Sequence, residues 1–294
     1  MLSILIPTYN FNITQLVSDL HQQALNSYTD FEFIVMEDGS NLFVEGNSSI
    51  KELVNCKHII LSKNIGRSAI RNKLADEAKY EHLLFIDCDA EVCSEHYIER
   101  YLAFCHEECI VIGGTAYDPH ETNPAYSLRL KYGRKREARS AQERGKNNLA
   151  TFNFLISKSI FNRVRFDESI RGYGHEDMLF GHQLRKLGYE LIQIENPLIH
   201  KGLDENDIFI QKTEESTRNL FLLQQSGRYK YLAEESKLLN RYLFLKKIGL
   251  ARLLAYKFDI TKKLLRRQLY SKSPSLLAYD IYKLLFLCKT SFSK

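Results

Sequence analysis

At 294 residues, 44% apolar and 26% charged, the chain is long enough to bury a full core, and its composition excludes disordered, collagen-like and disulfide-dense classes. No apolar run reaches the roughly 18 residues of a membrane span, and six cysteines without a C-x-x-C pair point to reduced thiols in a cytoplasmic protein. The formal charge of +5 hides an asymmetry: residues 237–294 carry 14 Lys and Arg against Asp259 and Asp280, a net of +12, which leaves −7 for residues 1–236.

Met1 to Pro7 has no basic leader and reads as a strand over residues 2–6, stopped by Pro7 and followed by the loop Pro7-Thr8-Tyr9-Asn10. A helix capped by Asn12 or Thr14 runs to about Asn26, with Ile13, Leu16, Val17 and Leu20 on one stripe. Phe31 to Met36 is a second strand, ending in Glu37-Asp38-Gly39-Ser40, where Gly39 permits a tight turn. His58 to Leu61 is a third. Asn64-Ile65-Gly66-Arg67-Ser68 then opens a helix containing Arg71 and Asn72. The fourth strand, from His82 to Ile86, ends in Asp87-Cys88-Asp89.

Alternate residues of an extended chain point the same way, so Asp87 and Asp89 can face one ligand. Two carboxylates this close need a cation or hydrogen-bond donors, and magnesium or manganese shared with a phosphate is the natural guest. Strands alternating with helices predict an α/β fold with a doubly wound, mainly parallel sheet. Its ligand crevice lies beyond the carboxyl ends of the strands, where these loops fall.

The elements I-P-T-Y-N, E-D-G-S, N-x-G-x-S-x-x-R-N (Asn64, Gly66, Ser68, Arg71, Asn72) and D-x-D after a strand resemble the nucleotide-sugar-binding half of the family 2 glycosyltransferases. The resemblance implies a GT-A fold. It places Pro7, Thr8, Tyr9, Asn10, Glu37, Asp38, Asn64, Gly66 and Arg71 around the donor, Asp87 on the ribose side, and Asp89 on a divalent metal, Mn2+ or Mg2+. As a residue, Arg71 is a forked cation suited either to a diphosphate or to an ion pair that positions the Asp87 loop.

A helix from about Ser94 to Cys105 and a strand at Cys109–Ile112 lead to Gly113-Gly114, which either let backbone approach a sugar or form a plain turn. Residues 116–150 are polar and hold eight basic residues from Arg129 to Lys146, a pattern of a lid, an acceptor platform or a solvated loop. Thr151 to Ser157 is a strand; with Phe166-Asp167-Glu168 behind it, Asn153 stands at the asparagine position of a further family segment. Gly172-Tyr173-Gly174-His175-Glu176-Asp177 then sets two acids at a helix N-terminus, with Gly188 as the C-cap. Helix capping explains such acids equally well. The resemblance makes Asp177 the base that deprotonates the acceptor, with Glu176 binding acceptor or donor sugar. After a strand over Tyr189–Ile194, His200 is by the same resemblance a further metal ligand; its other reading is a loop histidine that contacts phosphate or no ligand. Imidazole favours manganese over magnesium.

From Asp207 the periodicity is helical, with stripes at Ile210, Thr213, Thr217, Leu220 and Phe221, at Leu250, Leu253 and Leu254, and at Leu277, Ile281, Leu284, Leu285 and Cys288. Lys257, Lys262, Lys263, Arg266, Arg267 and Lys272 run among Tyr256, Phe258, Leu264, Leu265, Leu269 and Tyr270, which reads as a peripheral membrane binder, a face packed on the catalytic part or an oligomer contact. No nucleic-acid module accompanies this charge.

The expected organisation is a GT-A domain over 1–203, with a nucleotide-sugar half to about 115 and an acceptor half from 116, followed by a basic helical region over 204–294. The expected function is inverting, metal-dependent transfer from a nucleoside-diphosphate sugar to a hydroxyl of a glycan or lipid-linked acceptor in cell-surface polysaccharide synthesis. UDP is the commonest donor nucleotide of the family, and the expected place is the cytoplasm, either free or peripheral on the inner face of the cell membrane. Two other classes compete. A sugar-nucleotide nucleotidyltransferase needs a glycine-rich basic loop after the first strand, which Pro7-Thr8-Tyr9-Asn10 is not. A catalytically silent glycan- or membrane-binding scaffold would not require Asp89 and Asp177 together.

Overall fold

A computed structural model of the chain describes residues 1–145, 148–170 and 172–292. In chain order its elements are β1 (Leu2–Thr8), α1 (Thr14–Asn26), β2 (Phe31–Glu37), α2 (Val44–Asn47), β3 (Cys56–Ile60), α3 (Arg67–Glu77), β4 (His82–Ile86), β5 (Ala90–Glu91), α4 (Tyr97–Leu102), β6 (Ile110–Ile112) and β7 (Thr115–Ala116). There follow α5 (Ser127–Tyr132), α6 (Ala141–Arg144), β8 (Asn153–Ser157), α7 (Lys158–Arg163), α8 (Glu176–Lys186), β9 (Ile192–Gln193), β10 (Leu198–His200), α9 (Asn206–Gln225), α10 (Leu232–Glu235), α11 (Lys237–Lys247), α12 (Ala251–Leu269) and α13 (Leu276–Thr290).

Seven strands form one sheet in the order β3-β2-β1-β4-β8-β6-β9. The first four are mutually parallel, β8 is antiparallel to both neighbours, and β6 runs parallel to β9. A strand covered on both faces reads as an unbroken apolar run, because alternate residues enter opposite cores. Ile4, Ile6, Phe33 and Leu84 meet α1 and α4 on one side; Leu5, Ile34, Leu83 and Phe85 meet α3, α7 and α8 on the other. A small second sheet, β5-β10-β7, joins the segment after β4 to the segment after β9.

Pro7 does not stop β1. The strand continues to Thr8, paired with β2 as far as Glu37, whereas its pairing with β4 ends at Leu5. A proline beyond the β4-paired stretch removes no hydrogen bond from that ladder, so the missing N–H is tolerated.

The chain divides into two units. The first comprises Met1–Asp118, Arg136–Arg171 and Glu176–Gly202; the second comprises Pro119–Lys135, Gly172–His175 and Leu203–Lys294. The second has its own core, in which Leu128, Phe209, Phe258, Tyr279, Tyr282 and Phe286 pack together. Asn206 fastens α5 to α9 by accepting from Leu128 N at 2.9 Å and donating to Pro124 O at 3.0 Å.

Two C-terminal stripes differ from the sequence reading. In α13 the buried set is Tyr279, Tyr282, Leu285, Phe286, Leu287 and Cys288, while Leu277 and Ile281 face out. In α12 Ala251, Ala255, Phe258 and Leu269 face in, while Leu253 is half exposed. In α13, apolar around most of its girth, no periodicity chooses the inner face and large aromatic rings, with most area to bury, occupy it; in α12 apolar residues stand on two sides, and Phe258 with Ala251, Ala255 and Leu269 takes the inner one.

Candidate active site

The site lies in the first unit, at the carboxyl ends of β1, β2 and β4. Thr8 is buried, and its carbonyl accepts from Asp38 N at 2.8 Å. Tyr9 is exposed. Asn10, with φ of 52°, donates its N–H to Ser40 Oγ at 3.0 Å and accepts on Oδ1 from Asn41 N and Leu42 N at 2.8 and 3.0 Å. Asn10 therefore welds the first loop to the second.

Glu37 points inward and is fully buried. Its oxygens meet His58 Nε2 at 3.2 Å, Asn47 Nδ2 at 2.8 Å and Ser40 Oγ at 2.5 Å. Burial pushes its pKa up, but the hydrogen bonds from His58, Ser40 and Asn47 outweigh it and hold the carboxyl below the usual range. It holds the loops together. Asp38 accepts from Ile65 N at 2.6 Å and from Gly66 N at 3.1 Å, tying the second loop to the start of α3. Burial outweighs both bonds and raises its pKa. Gly66 adopts φ of 89° as the N-cap of α3, and Asn64 is exposed beside it. Gly39 at φ of 68° has no room for a Cβ, which would sit 2.5 Å from Asn64 N.

At the centre is Arg71, buried on α3 and donating from Nη2 to Asp87 Oδ1 at 2.7 Å. Its guanidinium lies 5.5 Å from the centroid of the Phe166 ring. Among the described residues Nε and Nη1 of Arg71 make no hydrogen bond. Burial alone would lower its pKa, but Asp87, Asp177 and Glu176 raise it above the ordinary value. Asp87 is itself pushed up by burial and by Asp89, against the pull of Arg71.

Glu176 and Asp177 form the first turn of α8, where the helix dipole favours negative charge. Glu176 is buried, 3.6 Å from Arg67 Nη1. Asp177 accepts on Oδ1 from Thr151 Oγ1 at 2.6 Å and on Oδ2 from Thr151 N at 3.4 Å. Burial and the neighbouring Glu176 raise its pKa; Arg71 and Thr151 offset this only in part. A carboxylate held by two donors and shifted toward neutrality is a competent general base.

Asp89 and His200 meet with Oδ2 and Nε2 3.4 Å apart. Antiparallel pairing of His200 with Ala90 brings them together, and Lys201 N donates to Asp89 O at 2.8 Å. The imidazole lies between rings, 5.7 Å from Tyr117 and 5.3 Å from Phe152. A Cβ on Gly202 would overlap the Asp89 side chain. Four carboxylates (Asp87, Asp89, Glu176, Asp177) against two guanidiniums (Arg67, Arg71) leave a formal charge of −2 with His200 neutral. That donor set fits a divalent cation. Among the described residues no three His, Cys, Asp or Glu come together as a group that could hold a metal by themselves.

Three contributors were not read from the sequence. Arg67 had a signal, four residues before Arg71 on the same helix. Thr151 and Gly202 had none, since each acts only on a partner distant in the chain. The Gly113-Gly114 turn serves packing: a Cβ on Gly113 would meet Tyr101, Asn153 and Asn196, and one on Gly114 would overlap Arg144. Arg144 is buried and donates to Gln193 Oε1 at 2.9 Å and to Ile194 O, among other carbonyls, so this cation of the polar stretch is structural. Lys146, in the same stretch, lies outside the described residues.

A search of curated proteins finds no match. Solved structures similar to the chain include a mannosyltransferase, PcManGT from Pyrobaculum calidifontis in complex with GDP-Man and Mn2+, at TM-score 0.58 and 12% identity, covering 100% of this chain and 87% of that one. S. aureus TarS 1-349 in complex with UDP-GlcNAc matches at TM-score 0.51 and 17% identity, covering 99% and 91%. S. aureus TarS matches at 0.53 and 17%, covering 97% and 54%. At these identities the likeness shows the fold, GT-A. The model of the family described as "Glycosyl transferase family 2" matches residues 3–165, more than half of the sequence, and the chain accordingly belongs to glycosyltransferase family 2.

Proposed function

We propose that the protein is an inverting, metal-dependent enzyme. It moves a sugar from a nucleoside diphosphate, UDP in the first instance, to a hydroxyl of a glycan or lipid-linked acceptor in cell-surface polysaccharide synthesis. The observation that carries this reading is the gathering of carboxylates from two distant segments, Asp87 and Glu176–Asp177, about the buried Arg71, with Asp89 beside Asp87. A binding scaffold would not require Asp89 and Asp177 together, and a nucleotidyltransferase needs a glycine-rich basic loop after β1, which Pro7-Thr8-Tyr9-Asn10 is not.

In this mechanism the first two loops bind the nucleoside, with the exposed Tyr9 ring offered to the base and Asp38 holding the Ile65–Gly66 turn against it. Arg71 fixes Asp87 for the ribose. Asp89 and His200 would hold Mn2+ or Mg2+, which supplies charge neutralisation for the departing diphosphate. Asp177, aimed by Thr151, takes the proton from the acceptor hydroxyl as that oxygen attacks the anomeric carbon on the face opposite the leaving group. Glu176, held by Arg67, binds sugar hydroxyls.

The test is turnover of UDP-, GDP- and dTDP-sugars with and without Mn2+, comparing wild type with Asp89→Ala and Asp177→Asn. Asp89→Ala is expected to lose the response to Mn2+, and Asp177→Asn to lose about 10²–10⁴-fold in turnover while still binding nucleotide. Activity surviving both substitutions refutes the assignment.

A further inference from the structure

The helix α12 is apolar on two sides. Its inner side packs Ala251, Ala255, Phe258 and Leu269 into the core of the second unit. Its outer side exposes Leu253 at 52%, Tyr256 at 66%, Ile260 at 65% and Leu264 at 70%. At 100° per residue these four fall within an arc of about 80°. Arg252, Lys257, Lys263 and Arg267 are exposed on and beside that arc. The other basic residues of the helix are engaged within the unit: Arg266 Nη2 and Lys262 Nζ lie 3.0 and 3.8 Å from Glu214 Oε1. Asp259, the only acid of α12, is paired with Lys289 Nζ at 2.6 Å. The outer face is thus an apolar stripe bordered by cations, its single acid neutralised by an ion pair. Among the described residues no helix is long and apolar enough to cross a membrane.

We propose that this face of α12 lies in the plane of an anionic bilayer, with Leu253, Tyr256, Ile260 and Leu264 in the headgroup–acyl boundary and the four cations on lipid phosphates. Charge complementarity selects this occupant: an interfacial helix needs an apolar stripe with Lys and Arg beside it. A second copy of the chain would bring these cations against one another. Such docking retains the enzyme at a surface that presents lipid-linked acceptors, and it stands or falls independently of the catalytic assignment.

Flotation of the full chain with vesicles of phosphatidylcholine alone, or with 30% phosphatidylglycerol, tests this. Wild type is expected to float with the anionic vesicles only, and to be released by high salt. Lys257→Gln with Lys263→Gln is expected to weaken partitioning about thirtyfold, each cation contributing about a factor of five. Ile260→Glu with Leu264→Glu, both on the exposed face, is expected to abolish flotation with the circular dichroism unchanged, whereas Tyr28→Glu, exposed on the other unit, leaves it intact. Equal recovery with neutral and anionic vesicles overturns the proposal, as does flotation that survives Ile260→Glu/Leu264→Glu. So does a wild-type dimer that does not float and that the same pair of substitutions converts to monomer, because the face is then a contact between copies.

Discussion

Thr151 aims Asp177 with both its hydroxyl and its backbone N–H, and only the hydroxyl can be removed by substitution. Hydrogen bonds to a carboxylate favour its charged form, so losing one raises the pKa. A base must be ionised, and the acid limb of the pH–rate profile should move upward in Thr151→Val by about one unit, the worth of one charge-assisted hydrogen bond. Thr151→Ser keeps the donor and should restore the wild-type limb. Glu176 and Arg71, which also face Asp177, are unchanged in both variants. Glu37 gives the opposite sign. Its carboxyl is held below the usual range in the folded protein, so its stabilising contribution is present above the unfolded pKa and lost as pH falls through the folded one. In urea titrations the stability gap between wild type and Glu37→Gln should be constant above about pH 5 and shrink below about pH 4.

Among the elements, β10 matters more than its three residues suggest, because it carries His200 to Asp89 and leaves Gly202 against the Asp89 side chain. Gly202→Ala should displace that carboxylate, raising the Mn2+ concentration needed for half-maximal activity while the melting curve stays close to wild type. Such an element is invisible beforehand: three residues carry no period, and Leu198 alone is buried. By contrast β1, β2 and β4 were readable because each sends apolar residues into two cores, the polar Ser3 and Glu32 near the strand starts pairing with each other at 2.7 Å. The strand expected over Tyr189–Ile194 shrinks to Ile192–Gln193, where only the edge of β6 is available to pair. The loops after β1, β2 and β4 were legible because Asp38, Gly66, Arg71, Asp87 and Asp89 keep a motif spacing. The inward turn of Glu37 was not, since it depends on His58 and Asn47 arriving from elsewhere.

For the whole molecule, charge is divided unevenly along the chain, residues 1–236 netting −7 and residues 237–294 +12. Selective binding of a nucleoside diphosphate with Mn2+ should stabilise the folded chain by about 2.7 kcal/mol at a hundredfold excess over Kd. That corresponds to a rise in Tm of roughly 5–10 °C or less for a chain of this length. In a thermal-shift screen, Asp89→Ala should cancel the part of the rise that requires Mn2+ and keep the part that nucleotide alone produces. A metal-dependent shift in Asp89→Ala equal to wild type would remove that residue from the metal site.

The start of β8 has a further consequence. Thr151 grips Asp177, the Phe152 carbonyl accepts from Asp87 N at 3.0 Å while its ring flanks His200, and Asn153 accepts from the hydroxyls of Tyr97 and Tyr101. Three neighbouring residues thus tie Asp177, Asp87 with His200, and the buried tyrosines of α4 to a single point of the chain. Errors in the three parts are therefore correlated: a one-residue deletion here would not dim one function but throw all of them out of phase together.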